Sequence, residues 1–104
     1  MAVPVVYRQA ARREIINVAR TYEGQRQGLG GLFLDEIGRI EAHISDGPAL
    51  YQLVVGGVRR AVLRRFPFGL FYLDEEHRIV VLACLNLRRD PEAIASTVTT
   101  RRNR

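Results

Sequence analysis

The sequence contains no lysine: all sixteen of its basic residues are arginine. That excludes any mechanism in which a desolvated lysine serves as base or nucleophile, because a guanidinium keeps its proton across the accessible pH range. Cysteine is almost absent too. The single Cys84 has no internal disulfide partner and sits in the apolar run "IVVLACL", where a thiol is a small core residue kept inert by burial. Such usage is compatible with a reducing cytoplasm. No apolar run approaches the roughly 20 residues that a membrane-spanning helix needs. The opening "MAVPVVYRQ" has no charged lead-in and only a short apolar stretch, so no secretory signal is expected. The only histidines, His43 and His77, fall at no recognisable metal spacing, and neither a metal nor a cofactor is expected.

What remains is an ordinary globular composition. With 104 residues, 47% of them hydrophobic and 26% charged, the chain suits one domain around one core. Its charge is uneven. Residues 1–58 hold six arginines and six acids, whereas residues 59–104 hold ten arginines and five acids, so the net +5 lies wholly in the later part. A basic surface there suits RNA, DNA or an acidic protein partner.

"VPVVY" (Val3–Tyr7) is β-branched and aromatic and predicts a strand, with Pro4 favouring an edge or a strand start. From Arg8 to Gln27, Ala11, Ile15, Val18, Ala19 and Tyr22 recur at spacings of three and four, the stripe of an amphipathic helix. "GLGG" (Gly28–Gly31) lacks both the Lys-Ser/Thr ending and the preceding strand of a phosphate loop, and predicts a helix–helix turn. A second helix is expected from about Leu32 to Ser45, with Phe33, Ile37, Ile40 and Ile44 inward and Asp35, Glu36 and Glu41 outward. "LYQLVV", "VRRAVLRRF", "FGLFYL" and "RIVVLACLNL" then predict an antiparallel meander, with Gly56-Gly57 as one hairpin turn and the acidic Asp74–His77 as another. The fold expected is α+β: an N-terminal strand and an antiparallel helical hairpin packed on one face of an antiparallel sheet. Residues 1–91 form its single domain. Residues 92–104 are expected as a basic C-terminal tail, which follows Asp90-Pro91, a pair that can start a short helix, and frays at its end.

The stretch "VRRAVLRRFPFGLFY" (Val58–Tyr72) sets two arginine pairs inside a strand-like segment. Alternation places Val58, Arg60, Val62 and Arg64 on one face and Arg59, Ala61, Leu63 and Arg65 on the other. The helices should cover Ala61 and Leu63, with Arg59 and Arg65 snorkelling at the ends. Arg60 and Arg64 then project from the open face, where Arg88 and Arg89, emitted by the last strand, are expected to join them as an anion-binding or docking patch.

The series "YE…GLG…F…I", followed by "VRRAVLRRFPFGLFY" and "RIVVLACLNLRRDP", resembles the RelE/ParE superfamily of toxins of bacterial type II toxin–antitoxin systems, over about Val5 to Pro91. The resemblance implies a cytoplasmic growth-inhibiting toxin of the kind associated with plasmid stabilization. It also implies neutralisation by a cognate antitoxin, which would fold across the helix groove at Tyr22 and Phe33 and cover Arg60 and Arg64 with acids. RelE-like members are similar to ribosome-dependent mRNA endoribonucleases, and here the sequence departs from them. Val62 stands where they carry a lysine, Gly69 where they carry an arginine and Asn86 where relatives have a histidine, and no tyrosine follows Tyr72. RNA cleavage by 2′-OH attack needs a base, an acid and a group for the phosphorane charge. The nearer resemblance is therefore to the ParE branch, which implies inhibition of DNA gyrase by binding rather than catalysis. Arg60, Arg64, Arg88 and Arg89 are the target- or phosphate-contacting candidates, and would be the catalytic ones if the chain were an mRNA endoribonuclease. A non-toxic RNA- or protein-binding domain is the further alternative.

Overall fold

A computed structural model describes residues 2–104. Strand β1 (Val5–Tyr7) leads into helices α1 (Gln9–Gln25) and α2 (Leu29–Asp46). A short 3-10 turn (Pro48–Leu50) precedes β2 (Gln52–Val55), β3 (Val58–Val62), β4 (Phe68–Asp74) and β5 (Ile79–Asn86), and helix α3 (Pro91–Arg102) closes the chain.

The strands form one sheet in the order β1-β5-β4-β3-β2. The meander β2 to β5 is antiparallel, while β1 joins β5 in parallel through Val5, Val6 and Tyr7. The sheet is therefore mixed, because the helical hairpin carries the chain from β1 back across the sheet before the meander begins. Both edge strands are short, which limits unpaired backbone at the rims. Gly56 and Gly57 both take positive φ, as the tight turn between β2 and β3 demands.

Helices α1 and α2 bury the expected stripes against one sheet face. Ala11, Ile15 and Ala19 meet Phe33, Ile37, Ile40 and Ile44 over Ala61, Leu63, Leu70 and Tyr72. Each large aliphatic or aromatic side chain so enclosed contributes about 1.5–3 kcal/mol. The turn between these helices is tighter than expected. Gly28 alone supplies the positive φ, and α2 begins at Leu29, so Gly30 and Gly31 are helical. A Cβ on Gly30 would lie 2.5 Å from the carbonyl oxygen of Ala19, so this glycine lets the two helix backbones touch. Glu23 completes the join by accepting from the N–H groups of Gly28 and Gly30 at 2.9 and 3.0 Å, which satisfies donors at the start of α2.

The helix start expected at Asp90-Pro91 is there, and the helix runs twelve residues, through the end that was expected to fray. Asp90 caps it by accepting from the N–H of Glu92 at 3.1 Å, with Pro91 in the first turn. Val98 is fully buried in a second core with Val58, Phe71, Leu82 and Leu85, on the sheet face away from the hairpin. Arg101 pins the far end. It donates to both carboxylate oxygens of Glu14, at 2.8 and 2.9 Å, and to the carbonyl of Leu82 at 3.0 Å. Glu14 also accepts from the N–H of Cys84, so the ion pair serves the stretch of β5 that β1 does not reach. Strand β5 is thus covered on both faces, as its continuous apolar run predicts.

Candidate functional site

The four arginines singled out from the sequence do not converge. They occupy three separate neighbourhoods.

Arg60 behaves as alternation predicts and faces away from the helical hairpin. That face is not open, because α3 lies over part of it. Arg60 borders a cleft of about 230 Å³ whose other walls include Val54, Phe71, Leu87, Ile94 and Val98. Its Nη2 donates to Oε1 of Gln52 at 3.2 Å, whereas its Nε–H is buried without a hydrogen-bond partner. An unsatisfied buried donor of this kind costs about 1–3 kcal/mol.

Arg64 does not share that face. Strand β3 ends at Val62, whereas the alternation was carried through Arg65, and Arg64 and Arg65 lie in the bend leading to β4. The cause is Glu36. It was expected on the outer side of α2 but is only 7% exposed, and its carboxylate accepts from the backbone N–H groups of both Arg64 and Arg65. Arg39 donates to the same carboxylate at 3.0 Å. Burial pushes the Glu36 carboxyl upward, but these hydrogen bonds outweigh it and hold the group below its ordinary range. The exposed Arg64 and Arg65 side chains therefore border a shallow depression with Leu32, Asp35 and Arg39 on the α2 side.

Arg88 and Arg89 are exposed in the turn after β5. Asn86 shapes that turn, accepting from the N–H of Arg88 at its side-chain oxygen (2.9 Å) and from the N–H of Arg89 at its carbonyl (3.2 Å). The two arginines border a groove whose floor includes Val18 and Phe68, continuous with a second hollow beneath Tyr22 and Gln25. Burial raises the Tyr22 phenol, and the Arg88 guanidinium opposes that rise. This groove lies on the helical-hairpin side, opposite the Arg60 cleft.

Of the two aromatic candidates, Tyr22 is half-buried and available at the groove. Phe33 is not. It is 0% exposed and packs against Tyr22, Phe66 and Phe68 at ring-centroid distances of 5.3 to 5.7 Å, so it shapes the groove from beneath without being a contact. Phe68, which completes this cluster, went unnoticed because a half-buried strand aromatic carries no periodic signal.

Val62 and Gly69 are directly paired across β3 and β4. Val62 is 47% exposed, and a Cβ on Gly69 would sit 3.2 Å from Leu87 and 3.3 Å from the stem of Arg60. A side chain at Gly69 would therefore have to displace Leu87 and the Arg60 stem by a few tenths of an ångström. None of the other residues lining the Arg60 cleft can exchange a proton. His77 is exposed in the β4–β5 turn beside Glu76, and Cys84 is buried, which raises its thiol to about 12, with Glu14 adding to the rise. Among the described residues no group of three histidine, cysteine or acidic side chains is placed to hold a metal ion, and no helix is long and apolar enough to cross a membrane.

No family model matches the chain, and no curated protein matches it. Among solved structures it is similar to a chain of the chromosomal ParDE TA system from P. aeruginosa. The two share 15% identity with a TM-score of 0.61, over 82% of this chain and 96% of that one. At that identity the likeness is one of fold, the α+β arrangement of a helical hairpin on a sheet.

Proposed function

We propose that the chain is the toxin component of a type II toxin–antitoxin module, of the ParE kind, which arrests bacterial growth by binding DNA gyrase and is neutralised by a cognate antitoxin. The observation that carries this reading is the fold shared with a chain of a ParDE TA system. Binding is favoured over catalysis by the surroundings of Arg60. The cross-strand pair Val62 and Gly69 puts no charge beside it, and the cleft walls supply neither base nor acid.

Two surfaces then divide the work. The groove at Tyr22, Phe68, Arg88 and Arg89 combines an aromatic floor with exposed guanidinium groups, a chemistry suited to an apolar segment carrying acids. An antitoxin segment that orders on binding would lie there, burying Tyr22 and pairing with Arg88 and Arg89. Arg60 and Arg64, on other surfaces, remain for the target. The action is cytoplasmic, where gyrase and the antitoxin both reside.

Regulated expression in a bacterial host tests this. Growth arrest relieved by the small reading frame adjacent to the gene is the expected result, with arrest weakened by Arg60→Ala in a folded variant. Normal growth despite soluble accumulation of the chain overturns the toxin reading. Ribosome-dependent mRNA cuts lost in Arg88→Ala or Arg89→Ala would replace the gyrase reading with the endoribonuclease one.

A further inference from the structure

We propose that the cleft between α3 and the sheet is a recognition site for a single aliphatic carboxylate, with Arg60 as its anion contact. The inference stands whether or not the chain is a toxin. It begins from the Nε–H of Arg60, a buried donor with neither a protein partner nor access to water. Native folds rarely leave such a donor unpaired, and an absent ligand is one of the ordinary reasons. Arg60 lines the cleft, its Nη2 reaches the exposed Gln52 at 3.2 Å, and its Nε–H is shut off from solvent beside it. A small turn of this half-buried side chain presents the free N–H to an incoming acceptor.

The walls select the ligand. Apart from Arg60, every lining residue is apolar, including Val54, Phe71, Leu87, Ile94 and Val98. A phosphate brings more oxygens than one guanidinium can satisfy, and no second donor side chain lines the cleft. A carboxylate brings two, in the plane that a guanidinium matches. The apolar walls then receive an aliphatic stem. The volume of about 230 Å³ is below the roughly 300–1,000 Å³ usual for small-molecule sites, so it suits one short acyl unit and excludes a nucleotide or a large cofactor.

Two sources supply this chemistry: a free short-chain acid, or an acidic residue beside an aliphatic one in a peptide laid along β2, the free edge that carries Val54.

Methyl and Arg60 Nε–H resonances of the intact chain read the site directly. They would be followed by NMR during titration with hexanoate, with hexanamide, with inorganic phosphate, and with a blocked Val-Leu-Glu-Val tetrapeptide and its Gln counterpart. The expected result is movement of the Nε–H and of the Val54, Leu87 and Val98 methyls. Hexanoate, the Glu peptide or both should bind at least tenfold more tightly than the neutral counterpart. Whichever acid binds more tightly identifies the source. Arg60→Met keeps the apolar stem and removes the orphan donor, so it should fold at least as well as the parent and lose the preference for acid over amide. Equal shifts from acid and amide, a response to phosphate as strong as to carboxylate, a preference that survives Arg60→Met, or an unperturbed cleft with every probe each overturns the proposal.

Discussion

Replacing Arg101 by alanine should release helix α3 and cost the whole fold a measurable share of its stability. Arg101 makes three hydrogen bonds, two to Glu14 and one to the carbonyl of Leu82, and its side chain is 19% exposed against 22% for Glu14. Exposed ion pairs contribute about 0–1 kcal/mol, while removing one partner of a fully buried pair costs about 3–5 kcal/mol. This pair lies between those limits, and its loss also strands the Leu82 carbonyl, which adds about 1 kcal/mol. A destabilisation of about 2–3 kcal/mol follows, equivalent to roughly 10–20 °C in melting temperature for a chain of this size. Circular-dichroism melts of the parent, Arg101→Ala, Glu14→Gln and the double variant measure it. The double-mutant cycle should return a coupling of about 1–2 kcal/mol. Arg101→Lys should recover little, because an ammonium cannot span both carboxylate oxygens and the Leu82 carbonyl. Amide exchange in α3 should accelerate in parallel. A melting temperature within about 2 °C of the parent, with unchanged α3 protection, would refute the reasoning and make α3 a passenger.

Three further outcomes follow from local geometry. Gly30→Ala forces a Cβ against the Ala19 carbonyl and should destabilise by about 2 kcal/mol or more through overpacking, whereas Gly31→Ala meets nothing within 4 Å and should be neutral or stabilising by up to about 1 kcal/mol; urea midpoints compare the two. Because the folded Glu36 carboxyl titrates below its unfolded counterpart, it stabilises above the ordinary carboxylate pKa, and that stabilisation disappears as pH falls through the lowered value. Glu36→Gln should therefore reduce stability at neutral pH and flatten the acid limb of the stability–pH curve; an acid limb identical to the parent's would count against this role. Cys84, its thiol raised to about 12 by burial, should resist alkylation at pH 8 until denaturant is added, and fast labelling of the folded chain would contradict its burial.

The elements whose apolar residues repeat cleanly were legible from the sequence. The stripes Ala11–Ile15–Ala19 and Phe33–Ile37–Ile40–Ile44, the Gly56-Gly57 hairpin and the continuous run of β5 each answer to a single local rule. Helix α3 was legible only at its start, Asp90-Pro91, because its hold on the sheet rests on Val98, the partly buried Ile94 and a distant partner for Arg101. The parallel pairing of β1 likewise depends on where the helices return the chain. The four candidate arginines were expected in one place and lie in three. Alternation put Arg60 on the correct face but extended through Arg64, where Glu36 from another element takes both backbone N–H groups and ends the strand. A strand rule has no access to a carboxylate twenty-eight residues away. Glu36 itself looked like a surface acid by helical phase, and only the loop folded over it makes it a core residue.

The central claim, that this chain acts on gyrase by binding and performs no chemistry of its own, is tested most directly by a supercoiling assay with purified gyrase and purified chain. The account predicts dose-dependent loss of supercoiling with accumulation of cleaved DNA–gyrase complexes, abolished by the cognate antitoxin and accompanied by no cleavage of ribosome-bound mRNA. Unimpaired supercoiling at a large molar excess of folded chain, or ribosome-dependent cutting of mRNA, would contradict it.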